Sequence, residues 1–443
     1  MAAVSGQTLA GWAEADITPP LGFPMGGRGP VFDPAEQIAD PLLAQVTVLQ
    51  DPAGRRLVLV SLDIIGSTAS IADPIRHQLA AIAGTVPESV VLSFSHTHSS
   101  GMGLLDIYPY DSDKPVPIPA YETRLSSTLC TLTRAALGRL KPVRAYWRNG
   151  TSDLAINRRR RNEEGTTEHR PDPDGYYDPN LWVLELEGAG DRALLYSYAC
   201  HPVTLYQAEW QTISADFPGR VRVVLRDRLG KGVHVQFFQG LAGSVRPRVL
   251  ADLNTEEFVG GSRETLDRVG DQMADDLTRT LSLDAAEIEL DLHTAMGHVL
   301  VRPGPSLDSA WVPDNAEVWG GAATYWRRRL QNGPACDLAL PWPVGLIQLD
   351  SQHLIAYIAS EAVAEWRPQI EEVLSGYELA CWAYCQHDHT YLPTDALLAA
   401  GGYEVEMAPL CTNFWPQAIA PGVDDLVRTE FVRLRERLTR EPS

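Results

Sequence analysis

The stretch Val90-Val91-Leu92-Ser93-Phe94-Ser95-His96-Thr97-His98-Ser99-Ser100-Gly101 decides the fold class. An apolar, partly β-branched run ends in two histidines and a turn of small residues. That is how α/β proteins present functional groups on a loop after a buried strand. Side chains alternate along an extended chain, so His96 and His98 fall on one side, about 7 Å apart. The spacing alone leaves three readings: two ligands of one metal, one ligand beside a substrate donor, or two hydrogen-bonded loop histidines.

The pattern recurs outward from this stretch. A second apolar run, 194–200, delivers His201-Pro202, and Ser214-Ala215-Asp216-Phe217-Pro218-Gly219 follows, with Ser214 or Asp216 suited to cap the next helix. Two strands that each end in a histidine are the means by which neighbouring strands build one metal site. A third run enters the glycine-rich turn Gln239-Gly240-Leu241-Ala242-Gly243-Ser244-Val245-Arg246-Pro247, which has no GKS/T ending and so is not a phosphate loop. The run 354–358 delivers Ser360-Glu361, and Cys381 to Cys385 leads into Gln386-His387-Asp388-His389-Thr390-Tyr391. His387 and His389 read as supporting or alternative ligands. Asp63 reads as either a pocket residue or a buried hydrogen-bonding group. His77, His169, His234, His293, His298 and His353 share no spacing and read as surface or core residues.

Strands are predicted at 42–49, 56–65, 89–95, 181–187, 193–200, 233–239, 299–302, 345–349 and 354–358. Helices are predicted at 72–83, 121–140, 218–228, 262–281, 361–374 and 424–439. The fold class is therefore α/β, with mixed sheets in a central core flanked by helices. Length would allow two or three domains, but no linker, repeat or low-complexity tract appears. We expect one catalytic domain over 1–443, with an irregular Trp/Pro/Gly-rich insertion or lid at about 303–342.

Composition excludes several function classes. With 37 basic against 57 acidic side chains the chain carries a formal charge of −20, and its densest basic run, Arg158 to Arg161, is closely followed by Glu163 and Glu164. No basic face suits nucleic acid. Hydrophobic residues at 44% and charged ones at 21% suit a folded core and not a disordered chain. No run nears the roughly 18 apolar residues of a membrane span. The first twenty residues lack a basic, apolar leader, and the six cysteines are scattered, so a cytoplasmic, reducing location is expected. The partner expected is a small-molecule substrate, with homo-oligomerisation left open.

The ordered motifs carry a resemblance. These are Ala15-Asp16-Ile17-Thr18-Pro19-Pro20, His96-Thr97-His98-Ser99, Asn157-Arg158-Arg159, Cys200-His201-Pro202, Ser214 to Gly219, the turn Gln239 to Pro247, Ser360-Glu361, and Tyr391-Leu392-Pro393-Thr394 with Gly401-Gly402-Tyr403-Glu404. Over residues 11 to 405 the chain resembles the catalytic domain of the neutral/alkaline non-lysosomal ceramidases. The resemblance implies a zinc-dependent amidase with Zn²⁺ held by His96, His201, Glu361 and Tyr391. It further implies His98 as proton shuttle or oxyanion donor, and Arg158 as a substrate contact near the metal. Full-length family members carry a C-terminal β-sandwich, which is not expected within these 443 residues.

Gly243, Ser244 and Arg246 fall in the substrate-facing turn, where Ser244 and Arg246 stand in place of the family's usual residues. Arg246 puts a permanent cation near the pocket, which suits an anionic substrate. The Trp-rich segment with Tyr108, Tyr110 and Trp210 would supply an apolar wall. The function expected is hydrolysis of an amide C–N bond in a small polar or anionic metabolite by zinc-activated water, with His98, Arg158, Tyr391 and Arg246 as the working residues. Two alternatives share the scaffold: a metal-dependent biosynthetic enzyme (condensation, cyclisation or elimination), and a non-catalytic binding protein.

Overall fold

The computed structural model describes residues 6–27, 33–104, 118–305, 322–332 and 338–440. Its frame is a mixed sheet of nine strands. Eight run in the order His234–Gln239, Arg192–Tyr198, Asn180–Gly188, Lys141–Thr151, Leu9–Asp16, Leu43–Gln50, Arg56–Leu62, Val90–Phe94, and the short Glu287–Ile288 joins Lys141–Thr151. The outermost pair at each end is parallel, and the pairs between are antiparallel. A second sheet orders His293–Val301, Leu340–Gln348, His353–Ile358 and Glu378–Trp382, the last two parallel.

Parallel neighbours need a crossover connection, usually a helix. The three parallel pairs of these two sheets each have one: Ala69–Ala83, Asp216–Leu229 and Trp366–Val373. The alternation of apolar side chains sets the layers. Leu57, Leu59 and Val91 pack with Ile347, Ile355 and Trp382, whereas Val58, Val60 and Leu92 share a core with Ile75 and Leu79 of helix Ala69–Ala83. The two sheets thus lie face to face with helices outside them. No helix among the described residues is long and apolar enough to cross a membrane.

The predicted strands are present, with 299–302 forming the end of the longer His293–Val301. Three differences have physical causes. The helix expected from 361 begins at Trp366, because Glu361–Ala362 instead pair in parallel with Tyr391–Leu392. Helix Asp216–Leu229 starts after Ala215 and gets no side-chain cap from Asp216, whose Oδ2 instead accepts from the Thr204 and Leu205 amides. Of the expected insertion, 306–321 and 333–337, including Trp311 and Trp319, lie outside the described residues, as do Tyr108 and Tyr110. The described remainder is regular: helix Ala322–Gln331 buries Trp326, and strand Leu340–Gln348 buries Trp342.

Candidate metal centre

Each crossover unit ends its strands on the same side of the molecule, the side on which open α/β sheets bind ligands. Strand Val90–Phe94 leads to His96 and His98, strand Arg192–Tyr198 to His201, strand His353–Ile358 to Glu361, and strand Glu378–Trp382 to Asp388 and Tyr391. Backbone bonds tie these exits together. The His98 amide donates to Pro202 O at 3.2 Å, Phe94 N to Tyr384 O at 3.0 Å, Ala383 N to Gln239 O at 2.9 Å, and Tyr384 N to Ser360 O at 3.0 Å.

The local backbone is strained where it serves the site. His96 (φ 61°), Ser360 (φ 67°), Tyr384 (φ 54°) and Gln386 (φ 68°) all occupy the left-handed region that side chains disfavour. Such residues cost on the order of 1–3 kcal/mol each and persist where the surroundings over-determine them. Gly27 has φ +90°, and a Cβ there would lie 2.6 Å from His98 Nδ1, so only glycine lets the histidine sit where it does.

The structure brings His96, His98 and His201 together, with ring centroids 5.0, 5.0 and 5.3 Å apart. One ligand atom from each lies within 4.8 Å of the others, and His96, Glu361 and Asp388 form a second such group. His96 Nδ1 lies 2.7 Å from Ile65 O and His201 Nδ1 2.9 Å from Ala242 O. A carbonyl can only accept, so both rings carry their proton on Nδ1 and present bare Nε2 lone pairs. Those two atoms face the same Glu361 Oε2 at 3.3 and 3.4 Å. Among the described residues neither His201 Nε2 nor Glu361 Oε2 has a hydrogen-bond partner.

Three converging lone-pair atoms repel unless a cation lies between them. Zinc bonds of about 2.0–2.1 Å at tetrahedral angles set ligand atoms about 3.3–3.4 Å apart, and zinc-bound histidines routinely anchor their other nitrogen on a carbonyl. The residues present fit a zinc ion on both counts.

Without a cation between the ligand atoms, a proton competes for the His96 ring: burial opposes its charge, yet the adjoining Glu361 and Asp388 carboxylates raise it above the ordinary imidazole value. Burial opposes charge on Glu361, yet the adjoining His96 and His201 rings hold its carboxyl well below the usual range. Burial and the neighbouring His96 and His201 push His98 well below the usual imidazole value, so it is neutral. His201 is lowered to about 4, first by burial. Asp388 is raised to about 8 by burial and by the Glu361 charge.

Tyr391 lines the same small cavity of about 60 Å³ as His96, His98, Glu361 and Asp388. Its hydroxyl accepts from Arg158 Nη2 at 2.9 Å. Arg158 is buried and fixed by Glu404 Oε1 at 2.9 Å and by Gly243 O at 2.7 Å, and the other Glu404 oxygen pairs with Arg159. Ser244 faces away from the metal group: its hydroxyl donates to Glu365 Oε2 at 2.6 Å, and it accepts from Ala364 N at 3.0 Å. Gly243 acts through its backbone, its amide donating to Ala362 O at 2.9 Å. Arg246 lies near Arg158 and Tyr391 but contacts neither metal group.

The remaining candidates fall elsewhere. Asp63 pairs with Arg222 at 2.8 Å and accepts from Leu43 N, a structural role. His389 lines the cavity between the Trp342 and Phe414 rings, 4.7 and 5.0 Å away, and His387 stands behind it. Trp210 packs on Tyr206, whose ring lies 5.1 Å from His98, so part of the expected aromatic wall is present. Far along the sheets, His234 is buried on Trp12 and the half-buried His353 lies on Trp147. Sequence reasoning gave no role to Asp388, Tyr384, Glu404 or Glu365. Tyr384 has its ring 4.5 Å from His96. A surface cleft of about 1140 Å³, lined by Arg144, Glu187 and Arg192 at the other ends of the strands, holds no cluster of metal-ligating side chains among the described residues.

No protein-family model and no curated protein matches the chain. Solved structures do. A neutral ceramidase from Pseudomonas aeruginosa superposes with a TM-score of 0.73 at 19% identity, covering 99% of this chain and 76% of that one. The fold is that of the neutral ceramidases. A ceramidase complexed with C2 gives a TM-score of 0.71 at 18% identity, covering 99% and 77%. The fold implied by the eight motifs is the one observed.

Proposed function

We propose that this chain is a metal-dependent hydrolase that cleaves the amide C–N bond of a small molecule. The observation that carries the reading is the convergence of His96 Nε2 and His201 Nε2 on Glu361 Oε2, in a buried site with both Nδ1 protons already committed. The likeness to ceramidases supports the reaction class. His96, His201 and Glu361 would hold zinc, with Tyr391 as the fourth ligand that the family resemblance implies. A bound zinc ion supplies a Lewis acid to the substrate carbonyl and to water, lowering the pKa of that water towards about 7.

The chain's own groups account for the rest. His98 is neutral, and both of its ring nitrogens lack partners among the described residues. It is therefore able to take a proton from the attacking water and return it to the departing amine nitrogen. With one Oη lone pair taken by Arg158 and the other left for the metal, Tyr391 keeps its own O–H to point at the carbonyl oxygen as negative charge grows there. Glu404 and Gly243 O hold the Arg158 fork, so the Tyr391 oxygen is fixed before substrate arrives.

A chelation series on a panel of simple amides tests the reading. Activity should vanish with chelator, return with zinc, and fall at least ~100-fold in His98→Ala, whose metal content should persist. Activity that survives both chelation and His96→Ala overturns the proposal.

A further inference from the structure

The metal group leaves one buried charge unused. Arg246 sits on Val245–Pro247, paired with Ile156 of Ala155–Arg161, and is 3% exposed. Its guanidinium lies 4.6 Å over the Phe258 ring. Neither Nε nor Nη2 has a hydrogen-bond partner among the described residues. Those two nitrogens form one edge of the guanidinium, with N–H bonds parallel and spaced to meet both oxygens of a carboxylate.

The charge count around it is unbalanced. Arg158, Arg159 and Arg246 are all buried, and the single carboxylate Glu404 serves the first two. Glu365, the next acid along, is tied to Ser244 and Asn157, and burial raises its pKa. Burial and the nearby Arg158 lower Arg246 only to about 10, so it stays cationic at neutral pH. A buried cation with an unpaired donor edge is a standing demand for an anion. The turn also connects it to the metal group: Gly243 is bonded to Ala362, next to Glu361, and Arg246 is three residues on, about 10 Å of chain at most.

We propose that the Nε–Nη2 edge of Arg246 is a carboxylate clamp, so that the amides turned over are small carboxylate-bearing molecules of the N-acyl amino acid type. This rests on the amide-hydrolase reading above and specifies its substrate class. Phe258 supports the flat face of the guanidinium, and the free edge would take the substrate carboxylate, its reach from the metal group set by the turn from Gly243 to Arg246.

The test uses the zinc-loaded full chain and matched probes: N-acetylglycine and benzoate, their neutral counterparts N-acetylglycinamide and benzamide, and inorganic phosphate. Calorimetric binding should favour each acid over its amide by about 10–100-fold, the range of a charge-assisted bidentate contact. The ratio should fall towards one in Arg246→Met and lie between in Arg246→Lys, which keeps the charge and loses the fork. Arg246→Lys also serves should the methionine variant fail to fold. Equal binding of acid and amide by the unaltered chain, persistence of the ratio in both variants, or tighter binding of phosphate than of benzoate overturns the clamp. Arg246-dependent binding of the acids without hydrolysis of any amide supports the clamp and overturns the hydrolase reading; hydrolysis of N-acetylglycine and N-acetylglycinamide with equal kcat/KM does the reverse.

Discussion

Replacing Glu404 by Gln removes the one carboxylate shared by Arg158 and Arg159. Glu404 is 2% exposed, one oxygen 2.9 Å from Arg158 Nε and the other paired with Arg159. Removing one partner from such a buried pair costs about 3–5 kcal/mol, because the remaining charge stays desolvated. With an unfolding entropy of about 2.1 cal/mol/K per residue, a chain of 443 residues loses about 3–5 °C in Tm for that change. The two arginines hold the Glu404 carboxyl below its ordinary value of 4.5, against the effect of burial. A depressed carboxylate stabilises above its unfolded pKa and loses that stability as pH falls through the folded value. The gap between the two proteins should therefore be full at pH 7 and close on strong acidification. Calorimetric melting at both pH values measures it. The same change frees Arg158 from one of its anchors, so kcat should fall about 10–100-fold through the loosened Tyr391 hydroxyl. A Tm change under about 1 °C at pH 7, the behaviour of an exposed pair, refutes the reasoning.

Other consequences are equally specific. In Gly243→Ala the new Cβ would meet Glu361 O at 2.6 Å and Ala362 C at 3.0 Å, backbone atoms that cannot turn aside; the strand carrying Glu361 must shift, at about 1–3 kcal/mol, and zinc affinity by competition titration should drop at least tenfold. Asp40, held by Ser214 Oγ and the Ala215 amide, has its carboxyl raised from 3.8 to about 6, chiefly by burial. A raised carboxylate favours folding only when protonated, so Asp40→Asn should be more stable than the unaltered chain above pH 6, by up to about 3 kcal/mol. That advantage should disappear below about pH 4, which melting curves across the range will test. His201→Ala should retain less than a tenth of the bound zinc by elemental analysis while its far-ultraviolet circular dichroism is preserved; full retention would place the metal elsewhere.

The site was legible in the sequence where an apolar run delivers its last residue directly. His96, His98, His201 and Glu361 each follow such a run, and the helical spacing between paired runs signals a crossover. Groups whose partners are distant in sequence were not legible. Glu404 is 246 residues from Arg158, and nothing local marks Tyr384 or Asp388 as neighbours of His96. Strand Ala155–Arg161, AINRRRR, has no apolar pattern past Ile156, because its buried Arg158 and Arg159 are neutralised by the distant Glu404. Leu9–Asp16 is rich in alanine, and Lys141–Thr151 buries only Ala145 and Trp147, so neither looks like part of a sheet. Asp216 follows the local rule for a helix cap but is taken by the Thr204 and Leu205 amides instead, which fixes the loop after His201.

The central claim is that His96, His201 and Glu361 form a zinc site. Anomalous diffraction from crystals of the zinc-loaded chain, recorded on both sides of the zinc absorption edge, tests it most directly. One peak is expected within bonding distance of His96 Nε2, His201 Nε2 and Glu361 Oε2, and it should be lost in His96→Ala crystals. A full-occupancy peak at any other cluster, or none at this one in zinc-saturated crystals, contradicts it.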